Sequence, residues 1–273
     1  MTLTDTEPVQ LPTREELLAE FGEADLSVLS LFRFCFVPVG RLGLLKSLTR
    51  EEDWGAGDTV LLKYLAVHVR LSIEQGRYSF NDEQIVLTAG NLRTQAGVPI
   101  YVGLVRNHTS TENPWAMNWV GERPSCSPVP EPPCLGEWDS LDPASEIVLG
   151  VDLEDSERLE RVPELANAPA DLSTAALVGA CHWALHRGLA TEHRHSGVRS
   201  YFLPLYLRSR ADLCAAPDLV ASAEVQAGRL LIRFVLDPEI AYAPARAVVD
   251  RCDLLPAWLR ESWRAKSSTE GED

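Results

Sequence analysis

Apolar residues along this chain recur at helical spacing in some stretches and in unbroken or alternating runs in others, and the two patterns take turns. A helix is predicted over 14–21, followed by the apolar run LSVLSLFRFCFVPV near 26–39, which reads as a strand. Over 58–75 Leu61, Leu62, Leu65, Val69 and Ile73 form one helical stripe. EQIVLTAG and VPIYVGLV then predict a hairpin, PWAMNWVGE a third strand and EIVLGVD near 146–152 a fourth. A long helix is expected over 172–190, capped by Ser173. SYFLPLYLRS, LVASAEVQ and GRLLIRFVL read as strands, with a turn at Ala227-Gly228. EIAYAPARAVVD and PAWLRESW close the chain as helical pieces. Blocks of strands separated by helices predict an α+β fold with a mostly antiparallel sheet and helices packed against it.

Domain organisation follows from what breaks these patterns. Residues 1–12 and 266–273 are short, polar and aperiodic, and are expected as flexible tails around one domain over 13–265. RPSCSPVPEPPCLGEWDSLDP, 123–143, is too rich in proline for helix and is expected as an extended loop inside that domain. No internal repeat is evident in the sequence.

Composition narrows the partners. At 273 residues and 45% hydrophobic, the chain has material for a sizeable core. A formal net charge of −15 argues against an extended nucleic-acid ligand, because phosphate backbones recruit Lys and Arg. Lys46, Lys63 and Lys266 are the only lysines among 25 basic residues, the arginine-rich usage of a GC-rich, for example actinobacterial, genome. No basic-then-apolar leader opens the chain and no run approaches eighteen apolar residues, so a cytoplasmic protein without membrane contact is expected. Cys35, Cys126, Cys134, Cys181, Cys214 and Cys252 lack CxxC spacing and read as reduced thiols, with Cys126 and Cys134 able to pair only under oxidation.

Chemistry-bearing motifs are few. GRLGLLKSLT, 40–49, lacks the spacing of a phosphate loop, and there is no GxGxxG, GxSxG or HExxH. The acidic run from Asp139 to Glu164, including DLEDSE, lacks the glycine hinge and terminal glutamate of a calcium loop and reads as a solvated face. The stretch that concentrates chemistry is HWALHRGLATEHRH, 182–195, with four of the six histidines.

That stretch supports three readings. His182 and His186, four apart on a helix, could share zinc or another divalent metal with His193 or His195, which lie in the connection beyond Gly188. Against this, both helix histidines fall about 140–180° from Leu177, the centre of the apolar stripe, at about 100° per residue, on the rim where histidine is ordinary. The third reading extends to Arg210. Arg187, Arg194, Arg199, Arg208 and Arg210 face only one acid, Glu192, which makes a basic patch suited to a small anion. The competing expectation is that these arginines simply pair with acids elsewhere.

Several segments, taken in order from about 25 to 260, resemble the domain-of-unknown-function family numbered three-eight-two-five. DWGAGDTVLLKYLAVHVRLSIEQGRY is similar to its tryptophan and L-x-x-Y-L helix, and IVLTAGNLRTQAGVPIYVGLVRN to its F-N-T-G-L and I-Y hairpin. PWAMNWVGE is similar to its aromatic strand, SYFLPLYL to its L-P-L-x-L strand, and IAYAPARAVVDRCDLLPAWL to its A-Y-x-x-A-R helix. Where the family reads Asn-Thr-Gly-Leu this chain has Thr88, Ala89, Gly90, Asn91 and Leu92, so Thr88 stands for the asparagine or Asn91 displaces it. The resemblance implies Tyr101, Asn107, Tyr242 and Arg246 as site candidates, and a nucleotide or RNA context by association.

Together these features predict a small enzyme acting on a phosphate-bearing nucleotide or nucleoside-like substrate, by phosphoester hydrolysis or transfer. Arg194, Arg199 and Arg246 would hold the anion, with Tyr101, Asn91, Thr88 and Tyr242 around it. One of His182, His186, His193 or His195 would act as general acid or base, without a metal cofactor. The alternatives are a binding module that stacks single-stranded RNA or a nucleotide on Trp115, Trp119 or Tyr101, and a scaffold whose pocket has degenerated.

Overall fold

A computed structural model describes residues 11–22, 27–81, 84–109, 112–150, 162–195 and 197–269. The chain separates into two compact units, each with its own five-stranded sheet, so the fold is α+β with two mostly antiparallel sheets. The first unit takes residues up to Asp53 and Leu65–Leu135; the second takes Trp54–Tyr64 and everything from Gly136 onward. The division falls inside the proline-rich loop, between Leu135 and Gly136. Among the described residues, no helix is long and apolar enough to cross a membrane.

The first unit opens with α1 (Arg14–Phe21), where Thr13 and Glu16 cap each other's backbone and Thr13 holds the Glu16 carboxyl below its usual pKa. α2 (Val28–Phe34) then occupies half of the run expected as a strand. Its cap explains the difference: the Ser27 hydroxyl accepts from the Ser30 amide, and Leu31 and Phe34 turn inward while Leu29, Phe32 and Arg33 stay outside. An unbroken apolar run cannot separate helix from strand. Only Cys35–Phe36 is extended, as β1, before α3 (Val39–Leu48). α4 (Thr59–Glu74) follows, counted with the second unit up to Tyr64 and with the first from Leu65, and is buried from Val60 to Ile73 except at Lys63, so its stripe became a full circumference. The meander β2 (Ser79–Asn81), β3 (Gln84–Arg93), β4 (Pro99–Arg106) and β5 (Trp115–Gly121) completes the sheet, in the order β1-β5-β4-β3-β2 with β1 parallel to β5.

The second unit repeats that plan. β6 (Ile147–Leu149) is followed by α5 (Pro163–Ala166) and α6 (Ala170–His186). Then come β7 (Thr191–His195), β8 (Val198–Leu205), β9 (Leu219–Gln226) and β10 (Arg229–Leu236), in the order β6-β10-β9-β8-β7 with β6 parallel to β10. In both units a short strand leads through helix to a four-stranded meander whose last strand returns beside the first. The long helices α4 and α6 each give way to a left-handed glycine, Gly76 (φ 65°) and Gly188 (φ 63°), three residues before the meander starts. The repeat is one of topology and connection length, which is why the amino-acid sequence did not betray it.

Local details position the rest. Ser173 does not cap α6. Pro169 sits at the cap, and Ser173, one turn inside, donates to the Leu165 carbonyl at 3.0 Å, tying α6 to α5. The core under α6 joins Leu177, Cys181, Ala184 and Leu185 to Leu203, Leu205, Ala221, Ala223, Leu230 and Ile232. Ala227 and Gly228, both with positive φ, make the tight turn between β9 and β10. After β10 come α7 (Tyr242–Arg246), lying against β7, and α8 (Ala257–Thr269), which makes four residues of the expected tail helical.

The proline-rich loop is extended, as expected, and its bonding follows from what proline lacks. It offers many carbonyls and few N–H groups, and side chains of the first unit supply the donors. Arg77 donates to the Pro132 carbonyl at 2.8 Å, Ser79 to that of Pro128, and Gln75 both donates to and accepts from the Cys134 backbone at 2.7 Å. β2 is the outermost strand of its sheet, and Ser79 is its first residue. Beyond Leu135 the partners belong to the second unit: Trp138 Nε1 donates to the Ser200 carbonyl at 3.2 Å, and Tyr201 to that of Asp139. All six cysteines are free, and burial pushes the Cys35 and Cys181 thiols up to about 12.

Candidate functional site

The histidine segment straddles the end of α6 and the whole of β7. His182 is half-buried and His186 exposed, on the rim as helix geometry predicts. His193 and His195 lie in a strand rather than a connection. Successive strand residues point to opposite faces, and this separates His193 from Arg194. His193 is 1% exposed, shares a hydrogen bond of 3.1 Å with the Ser222 hydroxyl and stacks on Phe202 with centroids 3.6 Å apart. Ser222 is itself fully buried. Proton exchange with a substrate requires access, and the placement of His193 in the core gives it little. Among the described residues, no group of three His, Cys, Asp or Glu is placed to hold a metal ion.

The arginines of the basic patch are tied down one by one. Arg187 and Arg210 both lie over the Trp183 ring, at 5.7 and 4.9 Å, and Arg210 also donates to the Tyr206 carbonyl. Arg208 clamps Asp218 at 2.6 Å. Burial pushes the Asp218 carboxyl up, but the backbone amides of Arg208 and Leu207 and the guanidinium outweigh it and hold the group below its usual value. Arg194 and Arg199 sit directly opposite each other on β7 and β8. Arg194 lies 5.5 Å from the Trp138 ring and donates to the Gly197 carbonyl, while Arg199 donates to that of Glu137. The patch is thus built mainly from structural contacts.

Arg246, expected as an anion clamp, is 2% exposed between the rings of Trp54 and Tyr64, at 5.4 and 5.1 Å, and donates to the Val249 carbonyl. Tyr242 is 4% exposed and stacks on Trp263 at 4.8 Å. Both are interior residues. The remaining candidates belong to the first unit. Thr88 is buried opposite Tyr101, itself 8% exposed, and Asn91 is half-buried further along β3. Asn107 clips its own loop, donating to Asn113 and accepting from Thr109. Trp115 cannot stack a base: it is 1% exposed, its ring is covered by Arg106 at 4.2 Å, and its Nε1 donates to Glu20. Trp119 is half-buried beside Gly121. The DLEDSE segment lies outside the described residues.

A different surface stands out once burial is known. Leu29 (58% exposed), Phe32 (41%), Phe36 (51%), Val39 (87%) and Leu44 (37%) all come from α2, β1 and α3. Leu31, Phe34, Leu42 and Leu45 on the same elements are buried, so the segment is apolar on both sides. Arg33, Arg41 and Arg50 are exposed there and make no ion pair or side-chain hydrogen bond among the described residues. Between Ser27 and Arg50 the basic residues are Arg33, Arg41, Lys46 and Arg50, and there is no acid. The signal was present in the sequence as a long acid-free run in an acidic chain, but apolar density there reads as core until exposure is seen.

Compared with family models, with curated proteins and with solved structures, the chain gives no match. What the fold defines is a tandem of two β-α-β4 units. The particular role rests on the geometry of the sites above.

Proposed function

We propose that the protein is a non-catalytic interaction module that binds a partner protein through the face formed by α2, β1 and α3. One observation carries this reading: five large apolar side chains and three unpaired arginines share a single exposed segment of the first unit. Covering five such side chains, each about half exposed, is worth on the order of 5 kcal/mol before association costs. The pairing is therefore transient unless charge adds to it. A photo-crosslinking residue at Val39 tests the reading in cells that make the protein. Discrete crosslinks that vanish with Phe32→Asp support it; none above a control placed at Glu122 sinks it.

A second reading is favoured by the arginine pair on β7 and β8. Like charges placed directly across a sheet repel, and Arg194, which lies over the Trp138 ring, together with Arg199 opposite it would suit a small phosphate-bearing ligand such as a nucleotide. Millimolar nucleotide should then raise the melting temperature, and Arg194→Gln should remove the increase. An unchanged melting temperature excludes it.

A further inference from the structure

Resting on the interaction reading, we infer that the α2–β1–α3 face takes an acidic, amphipathic α-helical segment of another protein. Three properties of the face select this occupant. The first is charge. The segment carries only basic residues from Ser27 to Arg50, in a chain of net charge −15, and Arg33, Arg41 and Arg50 have spare donors. A second copy docked about a two-fold axis would set these arginines against themselves, so self-association is disfavoured.

The second property is the shape of α3. Gly40 and Gly43 lie on its exposed side, and no atom stands within 4 Å of where a Cβ would be on either. Neither has the positive φ that would require glycine. Glycine weakens a helix relative to alanine, and nothing in the chain's own packing uses these two. They lower the helix surface between Val39 and Leu44, which lets a partner backbone come nearer than the usual interaxial distance of about 8–10 Å. A lipid surface gains nothing from such a depression, because insertion favours protruding apolar side chains.

The third is the shortness of β1. It is the edge of its sheet, yet only Cys35 and Phe36 pair with β5, so an added strand would find almost no ladder to extend. The apolar positions sit instead on two helices flanking that edge. Leu29 and Phe32, one turn apart on α2, and Val39, Gly43 and Leu44 on α3 suit the i, i+3, i+4 and i+7 residues of an incoming helix.

The test uses two synthetic helix-forming peptides with the same Leu/Phe face, one with Glu at the polar positions and one with Lys. Fluorescence anisotropy with the full-length chain should show the Glu peptide binding at least tenfold tighter, with the preference shrinking as salt rises. Arg33→Glu with Arg41→Glu should reverse the preference. Gly43→Ala should raise the melting temperature while weakening binding, a pair of effects that misfolding cannot produce. Equal binding of the two peptides overturns the inference. So does tighter binding to vesicles of phosphatidylcholine and phosphatidylglycerol than to the Glu peptide, or a dimer by sedimentation that Phe32→Asp dissolves. If the Glu peptide fails while crosslinks from Val39 persist, the partner class is wrong and the interaction reading stands; if both are silent, both fall.

Discussion

Two sets of arginines, one from each unit, differ in what holds them, although Arg70, Arg77 and Arg106 of the first unit are held as firmly as any in the second. In the second unit, Arg187, Arg210 and Arg246 lie on aromatic rings, Arg199 reaches a carbonyl, and Arg208 clamps a carboxylate. In the first, Arg33, Arg41 and Arg50 face solvent among exposed apolar side chains. The second set is denser in sequence, yet each of its members is held by a ring, a carbonyl or a carboxylate of its own unit. Density of a residue type marks a region; the partners within reach decide whether anything is left for a ligand.

The comparison can be strained from its strongest point downward. Leu203→Ala empties part of the core beneath α6 and should cost about 2–5 kcal/mol, read by chemical denaturation. Arg246→Ala should cost about 2–4 kcal/mol, because it removes a cation held between Trp54 and Tyr64 and its bond to the Val249 carbonyl. A loss under about 0.5 kcal/mol would mean that this arginine is as uncommitted as Arg33.

Asp218→Asn is a smaller and pH-dependent case, costing about 1–2 kcal/mol at neutral pH. Because folding depresses the Asp218 pKa, its contribution is complete above the unfolded carboxyl pKa and disappears as pH falls through the lower folded value. The gap between wild type and variant should therefore begin to close below about pH 4 and vanish only once pH lies below the depressed folded value. A gap that persists there would show that the clamp does not rely on charge. Val39→Asp should be the mildest, within about 0.5 kcal/mol of wild type by thermal melting, since the side chain is 87% exposed. A larger loss would show that the first unit's outer face is already in use by the fold.

Much of the architecture was legible in the sequence, and the gaps have identifiable causes. α1, α4, the β3–β4 hairpin, α6 and the strands β8 to β10 follow from periodicity bounded by glycine or proline. α2 was hidden because an unbroken apolar run fits helix and strand alike, and Ser27 only became a cap once the helix was seen. Burial was the harder quantity. His193 owes its interior position to Phe202 and Ser222, which reach it through strand pairing rather than through nearby sequence. Arg246 likewise depends on Trp54 and Tyr64, far earlier in the chain. Conversely, the apolar face at 29–44 gave the right composition and the wrong impression, because sequence does not state which apolar residues have been left outside.

Gly76 and Gly188 mark what two units built on one topology have in common at the backbone. The helices and strands of the units carry unlike side chains, while a left-handed glycine stands three residues before the first meander strand in each. A β-branched residue at either position should therefore destabilise its unit through backbone strain alone, because a Cβ there would meet nothing within 4 Å. What the two units share at this point is a backbone angle and no side chain.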